Sequence, residues 1–115
     1  MWAVLKPYIL KAKKIYKEKQ FLLQENYNKL VKNSDNNTKV IIQGVIDTVL
    51  VFESDAYLID YKTNKTNNES ILIEQYKLQL EIYKKAFEKA TNIKITKKFL
   101  YSFHLDKLIE VEWFF

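Results

Sequence analysis

The spacing of apolar and polar positions divides the chain into segments of two periods. Residues 13–23, KKIYKEKQFLL, carry the β-branched and aromatic mix of a strand, after a short helical or irregular segment around Pro7. Residues 40–51, VIIQGVIDTVLV, are apolar on both alternating faces, with Ile41, Val45, Val49 and Val51 on one and Ile42, Ile46 and Leu50 on the other. That is the pattern of a central strand covered on both sides. Residues 56–63, AYLIDYKT, form the next expected strand. Two Asn-rich breaks, KNSDNNT at 32–38 and NKTNNES at 64–70, supply the turns in a chain with a single glycine. Over 69–90 the period becomes helical: Leu72, Tyr76, Gln79, Leu80, Tyr83, Phe87 and Ala90 recur at three- and four-residue steps. Ser70 or Thr66 is expected to cap this helix, and Asn92 to end it in a left-handed turn. Residues 95–103 and 107–115 are expected to form a hairpin around His104 and Asp106. The expected fold class is therefore α/β: a mixed β-sheet of about five strands packed against a long α-helix, in one domain over 1–115.

Ionisable groups interrupt the two most apolar segments. Asp47 shares a strand face with Val45 and Val49, and a lone carboxylate there is costly to keep ionised. In 56–63, Ala56, Leu58, Asp60 and Lys62 share a face, so Asp60 and Lys62 project together, roughly 6 to 7 Å apart. If FESD holds an even-numbered hairpin loop centred on Glu53 and Ser54, residues 47 and 60 fall opposite one another, with β-carbons about 4.5 to 5.5 Å apart. Such carboxylates repel unless a proton or a divalent ion lies between them. An oxygen-only pair without His or Cys suits Mg²⁺, or Mn²⁺ as its substitute, better than Zn²⁺. Mg²⁺ retains waters, leaving positions for a phosphate oxygen and a nucleophilic water. Lys62 is placed to orient that water or to hold the phosphate. The bland alternative is a buried salt bridge with no catalytic role. Gly44, inside a strand, marks a bulge or close backbone approach, or else a crowded sheet contact.

Composition narrows the chemistry. Nearly half the residues are apolar and 15% are aromatic, enough for a true core. The absence of cysteine excludes a disulfide scaffold, a thiolate zinc site, a cysteine-held iron–sulfur cluster and a cysteine nucleophile. No apolar run approaches the ~18 to 20 residues of a membrane span, and the N-terminus lacks a signal-peptide pattern, so a cytoplasmic protein is expected. The net charge of +5 comes entirely from lysines, with no arginine. It is as consistent with a solvated surface as with a polyanion site, and it leaves phosphate contacts to Lys, backbone amides and hydroxyls.

The ordered constellation Gly44-x-x-Asp47, Asp60-Tyr61-Lys62-Thr63 and Gln79-x-x-x-Tyr83 resembles the RecB-type nucleases of the PD-(D/E)XK superfamily. In particular it is similar to the C-terminal nuclease domain of helicase–nuclease subunits of bacterial double-strand-break repair. The likeness runs from about Tyr16 to Val111. It includes Lys17-Glu18-Lys19-Gln20-Phe21 ahead of the glycine motif and Ile73-Glu74-Gln75-Tyr76-Lys77 before the Gln/Tyr pair. The resemblance implies a restriction-endonuclease-like fold. It implies that Asp47 and Asp60 are metal ligands, joined by the backbone carbonyl of Tyr61, and that Lys62 is the catalytic lysine. Gln79 and Tyr83, one helical turn apart, would order the site and contact DNA. Without the resemblance, Gln79 and Tyr83 are equally an ordinary helix–sheet seam, and Thr63 either orients a phosphate or closes its strand.

One departure stands out. The family pattern begins with a helical His upstream, but this chain has no His before His104, which sits in the expected terminal turn as a solvated residue. The expectation is a fragment of a larger helicase–nuclease subunit, cut downstream of that helix, with Glu18 a weak candidate to approach the metal. No GxxxxGK phosphate loop is available in a chain with one glycine, so an ATP-driven motor is not expected here. The function expected is Mg²⁺-dependent hydrolysis of DNA phosphodiesters, as an exonuclease acting on single-stranded ends, with weak or no activity expected of the isolated fragment. The resemblance implies DNA as a partner, together with the rest of a helicase subunit. It also implies a second nuclease subunit, and no membrane. The alternatives are a non-catalytic DNA-binding or structural module with a degenerate site, and a stand-alone resolvase or restriction-type nuclease.

Overall fold

The computed structural model describes residues 2–30 and 34–112. Its elements follow the chain as helix α1 (Trp2–Lys11), strand β1 (Lys14–Asn26), the short helix α2 (Tyr27–Leu30), β2 (Lys39–Val51), β3 (Ala56–Lys62), helix α3 (Glu69–Thr91), β4 (Ile95–Ser102) and β5 (Lys107–Val111). The strands make one mixed sheet in the order β1-β2-β3-β4-β5. Only β3 and β4 pair in parallel, and α3 is the crossover between them. This is the α/β, restriction-endonuclease-like arrangement. The last residues of the expected terminal strand, 113–115, and residues 31–33 lie outside the described residues.

Each sheet face is covered by a different helix. On one face Leu72, Leu80 and Phe87 of α3 bury Ile46, Val49, Ala56, Leu58 and Leu100. On the other, Leu5 of α1 packs on Leu50, Ile59, Phe99 and Tyr101. The packing of Leu5, with Val4, Tyr8 and Ile9 beside it, carries α1 through Pro7, which cannot donate to the helical ladder. Helix α2 is too short to show a period, and the burial of Leu30 against Leu23 and Ala86 holds it in place. Helix α3 is capped by Asn68, not by Ser70 or Thr66: its Oδ1 accepts from the amides of Ser70 at 3.0 Å and Ile71 at 3.3 Å. Asn92 closes the helix at φ 60°, the left-handed turn expected of it. Ala90 is exposed, while Glu81 and Ala86 are buried, so the buried stripe lies partly off the expected one.

The two longest strands change face midway. Ile46 and Val49 are three residues apart, yet both belong to the core under α3. Tyr16 and Phe21, five apart on β1, also both pack there. Strict alternation would put each pair on opposite faces. Between Tyr16 and Phe21 lies Glu18, with a positive φ of 51°, and the pairs Lys17↔Thr48 and Lys19↔Ile46 set it opposite Asp47. The register is the same on either side, so both strands slip phase together. The face expected to join Ile41, Val45 and Val49 is therefore divided. Val49 is buried under α3, whereas Ile41 and Val45 are 63% and 42% exposed on the face of the far half of the ribbon turned away from α3.

Candidate active site

The slip places the carboxylates. Residues 52–55 form the β2–β3 loop, closed by the Phe52 amide donating to the Asp55 carbonyl at 2.8 Å. The ladder then runs Val51↔Ala56 to Thr48↔Ile59, and the next opposed pair is Asp47 and Asp60, as an even-numbered loop requires. At that point a side chain replaces the backbone partner: the Tyr61 amide donates to Asp47 Oδ2 at 2.8 Å. With its phase shifted, Asp47 reaches toward Asp60 beneath α3 instead of pointing away with Val45.

Asp60 is the buried member, 3% exposed. Burial first, and then the Asp47 carboxyl beside it, push its pKa up to about 7 against the opposing pull of Lys62. Its Oδ2 lies 2.8 Å from Lys62 Nζ in an ion pair, beside the Asp47 carboxyl. A buried carboxyl beside a second carboxyl, with its proton affinity raised by that neighbour, is a donor set for a hard divalent cation. Among the described residues no group of three or more His, Cys, Asp or Glu converges, so any further ligands would be carbonyls or waters. Glu18 is exposed and joins no such group, and His104, exposed in the β4–β5 turn, pairs with Asn67 Oδ1 at 3.0 Å, away from the carboxylates.

Helix α3 supplies the other walls. Gln79 Oε1 accepts from Lys62 Nζ at 2.9 Å, which gives the polar residue of the buried stripe its partner. Tyr83, one turn on, has its phenol pKa raised by burial and then by the negative charges of Asp60 and Asp47. Its ring meets Phe21 edge-on at 5.4 Å. Phe21 in turn lies over Gly44, its paired residue: a methyl group at position 44 would sit 2.9 Å from the ring. Gly44 is thus the close-approach position, and the irregularity lies at Asp47 instead. Phe21, Gly44, Gln75, Gln79 and Tyr83 line one open groove of about 390 Å³ along α3.

Five of the residues singled out from the sequence gather around one point, Asp47, Asp60 and Lys62 from the sheet and Gln79 and Tyr83 from the helix, whereas Glu18 and His104 do not join them. Two contributors were missed. Tyr76 lies with its ring face 3.9 Å from Lys62 Nζ, and Thr48 Oγ1 bonds the Tyr61 hydroxyl at 2.7 Å, anchoring that side chain on the α1 face. Tyr76 was visible as a member of the helical stripe, but nothing in the spacing separated it from core.

The raised pKa of Asp60 has a consequence for stability. The folded state holds the proton more tightly than the unfolded chain, whose Asp titrates near 3.8. Stability from this group is complete below that value and is lost as pH rises through about 7. Thermal melts in EDTA are expected to fall across this window, and added Mg²⁺ to restore stability on its alkaline side. A flat profile insensitive to Mg²⁺ would remove the case for a cation between the carboxylates.

A family model described as the PD-(D/E)XK nuclease superfamily matches residues 4–110. The chain is 33% identical over 110 residues to an ATP-dependent helicase/nuclease subunit from Clostridium acetobutylicum, covering 90% of this chain. It is 36% identical over 106 residues to the protein of the same name from Clostridium beijerinckii, covering 88%. It spans only 9% and 8% of the length of those two relatives. Its fold is similar to the crystal structure of SSO0001, with a TM-score of 0.56 at 23% identity, over 96% of this chain and 45% of that one. No helix among the described residues is long and apolar enough to cross a membrane.

Proposed function

We propose a reaction from one premise: the chain belongs to the PD-(D/E)XK nuclease superfamily. The reading supported best is divalent-cation-dependent hydrolysis of DNA phosphodiesters, as an exonuclease on single-stranded ends, within a helicase–nuclease assembly of double-strand-break repair. The observation that carries it is the convergence of Asp47 and Asp60 on one sheet face beside a lysine held by Gln79.

Asp47, Asp60 and the Tyr61 carbonyl would hold the cation, Mg²⁺ or Mn²⁺. Once bound, it supplies positive charge to the scissile phosphate and acidifies a water. The rest is done by the chain's own groups. Asp47 is oriented by the Tyr61 amide, so the two carboxyls meet without searching rotamers. Lys62 brings its side-chain nitrogen to the same point, where it steadies negative charge growing on the phosphate or orients the attacking water. Gln79 fixes the ammonium and Tyr83 closes the groove wall toward DNA. Extension to a helicase-fed single strand rests on the similarity to the clostridial helicase/nuclease proteins.

The test is to incubate the protein with end-labelled linear single strands, circular single strands and duplex, in Mg²⁺, Mn²⁺ or EDTA. The expected result is cation-dependent shortening of the linear strand, with circles resistant. Binding without any cleavage in either metal would instead establish a non-catalytic DNA-binding module. Cutting of branched or specific duplex sites by a dimer would favour a stand-alone nuclease.

A further inference from the structure

We infer that Tyr76 is a positioning residue for Lys62, an inference that rests on the nuclease reading above. The lysine ammonium has two polar neighbours, Asp60 Oδ2 at 2.8 Å and Gln79 Oε1 at 2.9 Å. Both lie in directions that a bound cation or a phosphate would compete for: Asp60 is a candidate ligand, and Gln79 faces the groove. The third neighbour is of another kind. The ring face of Tyr76 lies 3.9 Å from Nζ, and the lysine side chain is only 15% exposed. A ring face attracts an ammonium through its quadrupole and takes up no proton, and the attraction strengthens where water is excluded. It is therefore a contact that survives when Asp60 turns to a cation.

The ring is itself held from both ends. Its backbone is the middle of α3, three residues before Gln79 and so on the same helical face. Its hydroxyl donates to Asn64 Oδ1 at 3.0 Å, and Asn64 lies two residues beyond Lys62. Tyr76 thus spans from the helix to the strand end that carries the lysine, and its ring plane sets where the ammonium sits. Tyr76→Phe keeps the ring and loses only the Asn64 bond, whereas Tyr76→Leu keeps apolar bulk and loses the face.

The test has a direct spectroscopic arm and a kinetic one. In protein labelled with ¹³C-lysine, the ε-methylene signal of Lys62, assigned by its disappearance in Lys62→Met, is expected upfield of the other lysines through the aromatic ring current. The shift should persist in Tyr76→Phe and vanish in Tyr76→Leu. In cleavage of a linear single strand with Mg²⁺, Tyr76→Leu should lower kcat by about ten- to a hundredfold with KM nearly unchanged, as expected for a misplaced reacting group. Tyr76→Phe should lose no more than about threefold. An unshifted Lys62 signal in the wild type, or wild-type kcat in Tyr76→Leu, overturns the assignment and leaves the nuclease reading intact. If Tyr76→Leu does not fold, the wild-type and Tyr76→Phe spectra decide, with a Tyr76→Phe kcat as low as that of Lys62→Met counting against a role for the ring. Absence of any cleavage by the wild type defeats the nuclease reading, and the role of Tyr76 in the reaction with it.

Discussion

Replacing Asp60 by Asn stops cation-dependent cleavage and, without a divalent ion at about pH 8, makes the protein more stable. The two effects share one cause. Asp60 is buried beside Asp47, and its carboxylate form is disfavoured enough to raise its pKa to about 7. Above that pH the native state carries the cost of an ionised, buried group facing another carboxyl. Asn has the same shape and no charge, so the variant sheds that cost, which already includes the opposing pull of Lys62 and is on the order of a few kcal/mol. It also loses half of the carboxylate pair that would hold the metal. Cleavage should fall at least about a thousandfold, and the gain in Tm on adding Mg²⁺ should disappear. Melts with and without Mg²⁺, run beside the cleavage assay, check both halves. A variant that cuts like the wild type removes Asp60 from the reaction. One that is less stable at alkaline pH shows that the Lys62 ion pair outweighs the repulsion.

Lys98→Met should cost about 3–5 kcal/mol in urea unfolding. Lys98 is 1% exposed on β4, on the sheet face covered by α3. Its Nζ lies 2.9 Å from Glu81 Oε2 and donates to the Glu112 carbonyl at 3.4 Å. Glu81 is itself buried, with Lys84 4.0 Å away on the same helix. Lys84 also pairs with Glu88 at 3.3 Å, and Glu88 accepts the Ile95 amide at 2.8 Å. Removing Lys98 takes away the nearest cation to buried Glu81 and leaves it, among the described residues, the more distant Lys84, which is what makes breaking such a pair costly. Removing both charges, Lys98→Met with Glu81→Leu, should recover most of the loss, because a buried pair is worth little against apolar packing of similar volume. A single variant within about 1 kcal/mol of the wild type would mean that the pair is not desolvated as the geometry implies.

Much of the site was legible along the chain because its parts obey local rules. The length of the FESD loop set the hairpin register, and the register set Asp47 opposite Asp60. Strand alternation put Asp60 and Lys62 on one face, and helical spacing put Gln79 and Tyr83 one turn apart. The faces of β2 were misread because alternation was carried across Asp47, where the strand slips with Glu18 on its neighbour. No local pattern announces such a slip, since Glu18 takes its positive φ in the pairing of two strands and without a glycine. Asn68 was passed over as the cap because several capping residues precede α3, and only the folded chain shows which one meets the free amides.

The residue pattern alone determined the strands, the long helix, the antiparallel hairpin and the identity of the charged groups that share it. These follow from backbone geometry, which repeats over a few residues and leaves its period in the order of side chains. The tertiary structure alone decided that Tyr76 faces Lys62, that Phe21 lies over Gly44, and that Lys98 finds Glu81 instead of water. Each of those contacts joins residues 14 to 23 positions apart, and their meeting depends on how β1 pairs with β2 and how α3 settles on the sheet. Packing is set by shape and desolvation across elements, and neither is encoded in the period of any single one.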